Sequence, residues 1–221
     1  MSVNIAIDGP AGAGKSTIAK MTAKKLGYIY VDTGAMYRAM AYYFLKNGVG
    51  REDTDRMSSE CVGADITIRY VDGEQVVMLN GENVNGFIRR EEVGSMASVC
   101  STLKAVRDKL TELQKKLARE NNVVMDGRDI GTCVLPNAQV KIYLTADSHV
   151  RALRRRDELL SKGEECSLDK IENDIIERDK RDMTREIAPL KKADDAILLD
   201  TSAMSVDEVF ESIINICREK A

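Results

Sequence analysis

The sequence lacks the features that mark membrane proteins, secreted proteins and binders of nucleic-acid polymers. No hydrophobic run approaches the roughly 18 residues that a membrane-spanning helix needs. The first eight residues contain neither a basic segment nor a long apolar core, so we predict no signal peptide and expect a cytoplasmic protein. The 33 Lys and Arg are balanced by 36 Asp and Glu, and a net charge of -3 argues against a nucleic-acid polymer or a membrane as partner.

Cysteine and histidine are also too sparse for a typical metal site. The five cysteines are scattered and none forms a C-x-x-C pair, so neither a zinc site nor a disulfide framework is indicated. We interpret them as mostly buried thiols. The single histidine, His149, lies at a predicted helix start after the apolar run 140–144, and we interpret it as structural.

Strand and helix patterns alternate along most of the 221 residues. Short apolar, β-branched runs predict strands at 3–8, 28–31, 122–126, 139–144 and 196–200. Helices are predicted at 15–26 and 33–46, and a last helix begins at Ser205, where Glu208 completes a capping box. This order is typical of an α/β protein with a parallel sheet, here of five strands.

Two segments interrupt the alternation. Residues 65–71, 75–79 and 81–85 resemble a small antiparallel meander with a hairpin at Asp72-Gly73, and the pattern of 151–185 predicts a highly charged helix–loop–helix. We therefore predict one domain over 1–221, with a core of 1–61, 95–150 and 187–221. In this scheme 62–94 is an insertion on the side of the second substrate, the acceptor, and 151–186 is a helical lid.

The most specific motif lies between the first predicted strand and helix. Residues 9–16, GPAGAGKS, match G-x-x-x-x-G-K-[ST] in the strand–loop–helix context that this motif requires. Glycines let the backbone N–H groups turn inward around an anion, while Lys15 can reach the β- and γ-phosphates and Ser16 can bind Mg²⁺. The sequence thus predicts a P-loop NTPase core that binds a nucleoside triphosphate.

A small kinase is the interpretation that best fits the rest of the chain. No N-K-x-D guanine reader is present, and a motor or helicase ATPase is usually larger. A kinase needs a second anion site, and Arg38 and Arg128 each follow a predicted strand whose carboxyl end faces the same crevice. Arg178, Arg181 and Arg185 share one helix face, although i,i+4 pairs with acidic neighbours would also suit a solvated helix.

A second basic cluster, Arg151 with Arg154, Arg155 and Arg156, lies one loop away from that helix. Guanidinium groups match phosphate oxygens, so a phosphate clamp is favoured over a plain charged surface for these arginines.

Four segments in order resemble the bacterial cytidylate kinase family, the CMP and dCMP branch of the nucleoside monophosphate kinases. They are IAIDGPAGAGKST at 5–17, DTGAMYR at 32–38, DGRDIGT at 126–132 and RDKRD at 178–182. The resemblance covers the whole chain, including the meander. It implies phosphoryl transfer from ATP to CMP or dCMP with Mg²⁺ as cofactor, in a protein that we expect to be a monomer.

The resemblance also implies roles for individual residues. The ATP phosphates would be bound by Gly9, Pro10, Ala11, Gly12, Ala13, Gly14, Lys15, Ser16, Thr17 and Arg154. The acceptor CMP would be bound by Thr33, Arg38, Ser98, Arg107, Arg128, Asp129, Arg178, Asp182 and Arg185. Lys15, Arg128, Arg178 and Arg185 would be catalytic. Ser16 would bind Mg²⁺ directly, with Thr17 as the alternative, and Asp126 would hold it through water.

Three other functions remain open from the residues alone. The first is a kinase for UMP, AMP or shikimate on the same scaffold. The second is a regulatory nucleotide switch that hydrolyses slowly and needs no acceptor; the missing N-K-x-D argues against its GTP form. The third is a nucleic-acid-binding ATPase, which the acidic charge balance disfavours.

Overall fold

The computed structural model describes residues 2–161 and 163–220, which form two compact units. The first unit consists of Val3–Tyr28 and the described residues from Val124 onwards, and the second of Ile29–Val123 with Ser2. The strands are β1 (Asn4–Asp8), β2 (Ile29–Asp32), β3 (Ile66–Val71), β4 (Glu74–Leu79), β5 (Glu82–Asn83), β6 (Val123–Gly127), β7 (Val140–Thr145) and β8 (Ile197–Asp200). The helices are α1 (Lys15–Leu26), α2 (Thr33–Lys46), α3 (Thr54–Glu60), α4 (Glu91–Cys100), α5 (Lys104–Glu120), α6 (Ser148–Ser161), α7 (Leu168–Thr184) and α8 (Val206–Lys220).

The predicted five-stranded parallel sheet is confirmed, with strand order β2-β6-β1-β7-β8. β1 and β7 pair in parallel so that Asp8 lies opposite Tyr143 at their carboxyl ends. Every residue of β6 and all but the first of β1 are buried, which is why both strands are continuous apolar runs in the sequence. Parallel pairing places the loops that follow β1, β6 and β7 at one edge of this sheet.

Several helix ends follow the capping rules. Helix α1 lies between two left-handed glycines, Gly14 and Gly27, and Asp32 caps α2 by accepting a hydrogen bond from the N–H of Ala35. At the start of α8, Ser205 and Glu208 form the predicted capping box, with the Ser205 N–H 2.8 Å from Glu208 Oε2. The predicted bounds of α1 and α2 are those observed.

The antiparallel meander is confirmed as a three-stranded sheet of order β3-β4-β5. Asp72 and Gly73 both have positive φ, 52° and 78°, as a two-residue type I′ hairpin requires. The charged helix–loop–helix is likewise present as α6 and α7. Helices α3, α4 and α5, in contrast, are absent from the sequence prediction.

The five cysteines differ in their exposure to solvent. Cys61, Cys100 and Cys217 are buried thiols, but Cys133 is exposed and Cys166 is half-buried, so the burial interpretation holds for three of the five.

Within residues 2–161 and 163–220, no helix combines the length and apolarity needed to cross a bilayer. His149 is half exposed, and its Nδ1 lies 2.8 Å from Glu172 Oε2, joining α6 to α7.

Candidate active site

The loop from β1 to α1 has the backbone geometry of an anion-binding loop. Gly9 has φ 148°, and a Cβ there would fall 1.9 Å from the carbonyl oxygen of Leu144 on β7, so only glycine fits. Gly12 and Gly14 also have positive φ, 76° and 87°. The motif glycines are therefore demanded by the turn itself, which leads directly into the N-terminus of α1.

Lys15, the first residue of α1, lies folded into this loop. Only 6% of the residue is exposed, and its Nζ donates a hydrogen bond of 2.6 Å to the carbonyl oxygen of Pro10. Burial lowers the pKa of Lys15 well below its usual range, and the charge of Arg128 lowers it further, against the opposing carboxylates of Asp126 and Asp8. A bound polyphosphate would favour the charged ammonium in the same place.

Ser16 and Asp126 bring two oxygen ligands together next to Lys15. The Ser16 hydroxyl donates a 2.8 Å hydrogen bond to Asp126 Oδ2, joining the start of α1 to the buried end of β6. A hydroxyl beside a carboxylate next to a phosphate loop is the donor set that Mg²⁺ takes up with its remaining waters and phosphate oxygens. These residues thus fit the implied ion, although the described residues contain no group of three or more His, Cys, Asp or Glu side chains placed to hold a metal by themselves.

Asp8 has a role that the sequence motif did not assign. Its two carboxylate oxygens accept the backbone N–H groups of Ile130 and Gly131 at 2.8 and 2.7 Å. Burial raises the pKa of Asp8 to about 6, with a smaller contribution from Asp129, although the two N–H donors act in the opposite direction. Asp8 thereby fixes the turn that follows Arg128 and Asp129 to the strand that leads into the phosphate loop.

Two arginine–carboxylate pairs join α7 and the segment after it to the end of β6. Arg128 Nε lies 2.8 Å from Asp182 Oδ2, and Arg185 Nη2 lies 3.2 Å from Asp129 Oδ1. The Arg185 and Asp129 side chains are only 7% and 6% exposed. Burial alone would raise the pKa of Asp182, but Arg128, together with the charges of Arg178 and Arg185, lowers it below its usual value.

Arg178 belongs to the same group of charges. It lies near enough to Lys15 and Asp182 to shift the pKa of each. Arg181, on the same helix, is exposed. Of the three arginines predicted on one helix face, Arg178 and Arg185 therefore lie among the charges around Asp182, and Arg185 follows the end of α7.

The four arginines of the second basic cluster have different protein partners. Arg151 is buried, and its guanidinium binds the carbonyl oxygens of Ala146 and Ala11 and the carboxylate of Asp179. Arg154 Nη2 donates a 2.7 Å hydrogen bond to the carbonyl oxygen of Thr201. Arg155 and Arg156 form surface pairs with Glu158 and Asp157. Arg151 thus binds protein groups, including the carbonyl oxygen of Ala11 in the phosphate loop, and a phosphate clamp formed by this cluster stays a prediction.

In the second unit, the predicted acceptor residues gather around α2. Thr33 is buried at the first position of the helix. The Arg38 side chain turns back towards the helix start, and its Nη1 lies 3.6 Å from where a Cβ on Gly34 would be. Arg107 on α5 is 5% exposed, and its guanidinium carbon lies 5.6 Å from the ring centroid of Tyr37. Ser98 is half-buried on α4, and its carbonyl oxygen accepts a hydrogen bond from the Ser101 hydroxyl.

Sequence reasoning did not assign Asp8, Arg151 and Asp179 to these positions. Asp8 immediately precedes the glycine motif, which was the one available signal. Nothing in the sequence distinguishes Arg151 from its basic neighbours, because only the fold shows which arginine of the helix faces inwards.

A glycine loop with a buried lysine, a serine–aspartate pair and inward-facing arginines at the edge of a parallel sheet define a P-loop phosphotransferase. A family model described as cytidylate kinase matches residues 5–219. The chain belongs to the cytidylate kinase family, and it is an ATP-dependent nucleoside monophosphate kinase.

The relatives match along almost their whole length. The cytidylate kinase of Caldicellulosiruptor bescii is 49% identical over 214 residues, covering 97% of this chain and 95% of the relative. That of Listeria innocua is 50% identical over 217 residues, with 98% and 96% covered. A solved structure of an uncharacterized protein from Eubacterium ventriosum shares the fold, with a TM-score of 0.56, 14% identity and 99% of both chains covered.

Proposed function

We propose that this protein transfers the γ-phosphoryl group of ATP to the phosphate of CMP or dCMP, giving ADP and CDP or dCDP. One observation carries the proposal. Arg128 and Arg178 lie close enough to Lys15, at the end of the glycine loop, for their charges to lower its pKa. That arrangement supplies positive charge where a phosphoryl group would be transferred. The choice of acceptor is supported by the family match.

The phosphate loop and α1 provide the donor side. The backbone N–H groups of 9–17, of which Pro10 has none, and the Lys15 ammonium would bind the β- and γ-phosphates, and Arg154 would join them from α6. Mg²⁺ would be held by Ser16, with Thr17 as the alternative hydroxyl, and by Asp126 through water; when bound, it neutralises charge on the phosphate oxygens. Asp126 and Ser16 already lie within hydrogen-bond distance of each other, so little rearrangement is needed.

The transfer requires positioning and charge neutralisation more than proton abstraction. An acceptor phosphate oxygen forms a bond to the γ-phosphorus as the bond from that phosphorus to the bridging oxygen breaks, and ADP leaves with the electron pair. Lys15, Arg128, Arg178 and Arg185 would neutralise the oxygens of the transferring group. Because the transition state is loose, no general base is required.

Acceptor recognition would use the residues whose roles the resemblance implies. Arg38 and Arg128 would bind the acceptor phosphate, with Thr33 nearby, and Asp182 with Arg178 would bind the pentose. Ser98, Arg107 and Asp129 would read the base: Asp129 accepts a hydrogen bond from the cytosine amino group, and Arg107 donates to O2 and N3. Uracil presents an oxygen in place of that amino group, so UMP should be disfavoured.

Helices α6 and α7 would act as a lid that closes over bound substrates and excludes water, so that ATP is not lost to hydrolysis. We also propose that the protein acts as a cytoplasmic monomer, without nucleic-acid or membrane partners.

The test is ADP release from ATP-Mg²⁺ with CMP, dCMP, UMP, AMP and GMP as acceptors. We expect strong turnover with CMP and dCMP, weak turnover with UMP and none with the purines. In the same panel Asp129→Ala should reduce kcat/KM for CMP by roughly 10-fold or more and for UMP much less, since a lost hydrogen bond to a buried group costs about 1–3 kcal/mol. Lys15→Ala, which should lose most of its turnover, serves as the inactive control.

Three outcomes would contradict parts of the proposal. Preference for another acceptor would keep the kinase but reject the base readers. An equal effect of Asp129→Ala on CMP and UMP would reject Asp129 as a reader. Loss of ATP regardless of acceptor would favour a nucleotide switch.

A further inference from the structure

The three-stranded meander is joined to strand β2 by side chains from three separate places. The Tyr70 hydroxyl on β3 donates a 3.1 Å hydrogen bond to the carbonyl oxygen of Tyr30. Gln75, at the start of β4, and Arg89, which follows β5, both bind Asp32, the last residue of β2. All of these residues belong to the second unit. The meander is thus attached where β2 ends and α2 begins.

Gln75 makes the most directional of these contacts. Its Oε1 accepts a hydrogen bond from the backbone N–H of Asp32 at 2.8 Å, and its Nε2 donates to the carbonyl oxygen of the same residue at 3.3 Å. One side-chain amide therefore satisfies both backbone groups of Asp32 and imitates a strand neighbour. Asn85 in turn fixes the backbone of β4 at Gln75, since Asn85 Nδ2 donates a 3.0 Å hydrogen bond to the carbonyl oxygen of Gln75.

Asp32 passes this constraint on to α2. Its Oδ1 caps the helix at the N–H of Ala35, 2.9 Å away, while Oδ2 lies 2.9 Å from Arg89 Nη2. The capping oxygen also lies close to Gly34, where a Cβ would meet Oδ1 at 3.2 Å and Arg38 Nη1 at 3.6 Å. The orientation of Asp32 therefore sets the helix start over which the Arg38 guanidinium lies.

We infer that Gln75 is a positioning residue for acceptor binding: it holds Asp32, and through it the start of α2 with Thr33 and Arg38, in the geometry that binds the acceptor phosphate. Arg89 assists by holding the Asp32 carboxylate. The meander is then part of the acceptor-binding apparatus, although Gln75 itself need not touch the substrate. The inference rests on the proposed function for the identity of the acceptor, but its structural part does not.

The test compares Gln75→Leu with Thr67→Ala, a control on the exposed face of β3. Leucine fills similar volume but neither donates nor accepts, so both Asp32 backbone groups lose their side-chain partner. We expect the KM for CMP to rise about 10-fold, with the KM for ATP changed less than about twofold and kcat within about threefold, because one or two lost hydrogen bonds are worth about that much. Gln75→Glu, which keeps the acceptor oxygen for the Asp32 N–H, should restore part of the CMP affinity.

A second readout needs no substrate. Hydrogen exchange at the Ala35 amide of the ligand-free protein should accelerate several-fold in Gln75→Leu and in Arg89→Gln, and not in Thr67→Ala. Arg89→Gln also covers the case in which Gln75→Leu fails to fold. The inference is overturned if Ala35 exchange is unchanged, or if the KM values for ATP and CMP rise together as global destabilisation would produce. Preference of the wild type for a different acceptor would instead reject the proposed function, and the exchange result would still decide the role of Gln75.

Discussion

At the scale of single residues, Asp8 shows how a buried carboxylate can organise a site. It is 5% exposed, and its two oxygens hold the turn at Ile130 and Gly131. That turn is tight, because a Cβ on Gly131 would lie 3.3 Å from Asp8 Oδ2. Asp8 thus fixes the backbone immediately after Arg128 and Asp129, and it does so with a carboxylate that burial disfavours.

Asp8 should make folding stability depend on pH with a defined sign. Its pKa in the folded protein, about 6, lies above the value of 3.8 expected when unfolded. The stabilising contribution is therefore fully present below about pH 4 and is lost as the pH rises through about 6, by up to about 3 kcal/mol. Urea unfolding of the wild type and Asp8→Asn between about pH 4 and pH 7.5 checks this.

The informative quantity is the difference between the two proteins, since all other titrating groups, including Asp182 with its opposite shift, are common to both. The free energy of unfolding of the wild type relative to Asp8→Asn should fall as the pH rises. Parallel curves would show that Asp8 titrates at its ordinary pKa.

Single residues also mark where sequence reasoning stops. The glycine motif, Lys15 and Ser16 could be predicted because the loop permits few other residues at these positions. The burial of Arg151 could not, since Arg151, Arg154 and Arg155 are chemically identical and only the packing of α6 decides which one faces Asp179. The link from Gln75 to Asp32 spans 43 residues and leaves no local pattern.

At the scale of elements, α6 and α7 are joined by one buried ion pair that also reaches the phosphate loop. Arg151 Nη1 lies 2.7 Å from Asp179 Oδ2 and 2.9 Å from the carbonyl oxygen of Ala11. Both side chains are nearly buried, at 7% and 11% exposure, so losing either one leaves a charge without compensation.

Replacing either member of this pair should therefore be costly, and replacing both should cost less than the sum. We expect Arg151→Met and Asp179→Leu each to lower the free energy of unfolding by about 3–5 kcal/mol. The double variant should recover a substantial part of the combined loss, which a double-mutant cycle in urea measures.

The surface pair Arg155–Glu158 on the same helix provides the matched control. Its N–O distance is 2.8 Å, but the side chains are 47% and 50% exposed. Arg155→Met should cost less than about 1 kcal/mol, because water and salt screen exposed pairs. Equal losses at the two sites, or strict additivity at Arg151 and Asp179, would show that burial adds nothing to the pair.

Secondary-structure elements with a local sequence signal are predicted more reliably than elements without one. The hairpin at Asp72-Gly73, the cap at Asp32 and the capping box at Ser205 are local signals, and each accompanies an element that the sequence predicted. Helices α4 and α5 begin after Arg90 and Leu103, neither of which provides a side-chain cap. Because they lack a capping residue at the start, these helices are not predicted from the sequence pattern. One of them, α5, carries the proposed base reader Arg107.

At the scale of the whole molecule, the donor and acceptor roles should separate when each ligand is bound alone. A ligand that binds only the folded state stabilises it by about 2.7 kcal/mol at a concentration of about 100 times its Kd. For a chain of 221 residues this corresponds to a rise in Tm of roughly 5–10 °C. ATP-Mg²⁺ and CMP should each produce such a shift in the wild type.

Two variants then assign each shift to its residues. Lys15→Met should abolish most of the ATP shift and keep the CMP shift, because it removes the ammonium from the phosphate loop. Arg38→Met should do the reverse, because the lost guanidinium lies at the start of α2, where we propose that it binds the acceptor phosphate. Each shift is measured against the same variant without ligand, so a change in intrinsic stability cancels. If both variants lost both shifts equally, the two substrates would not be bound by separate residues, and the division between the phosphate loop and α2 would be wrong.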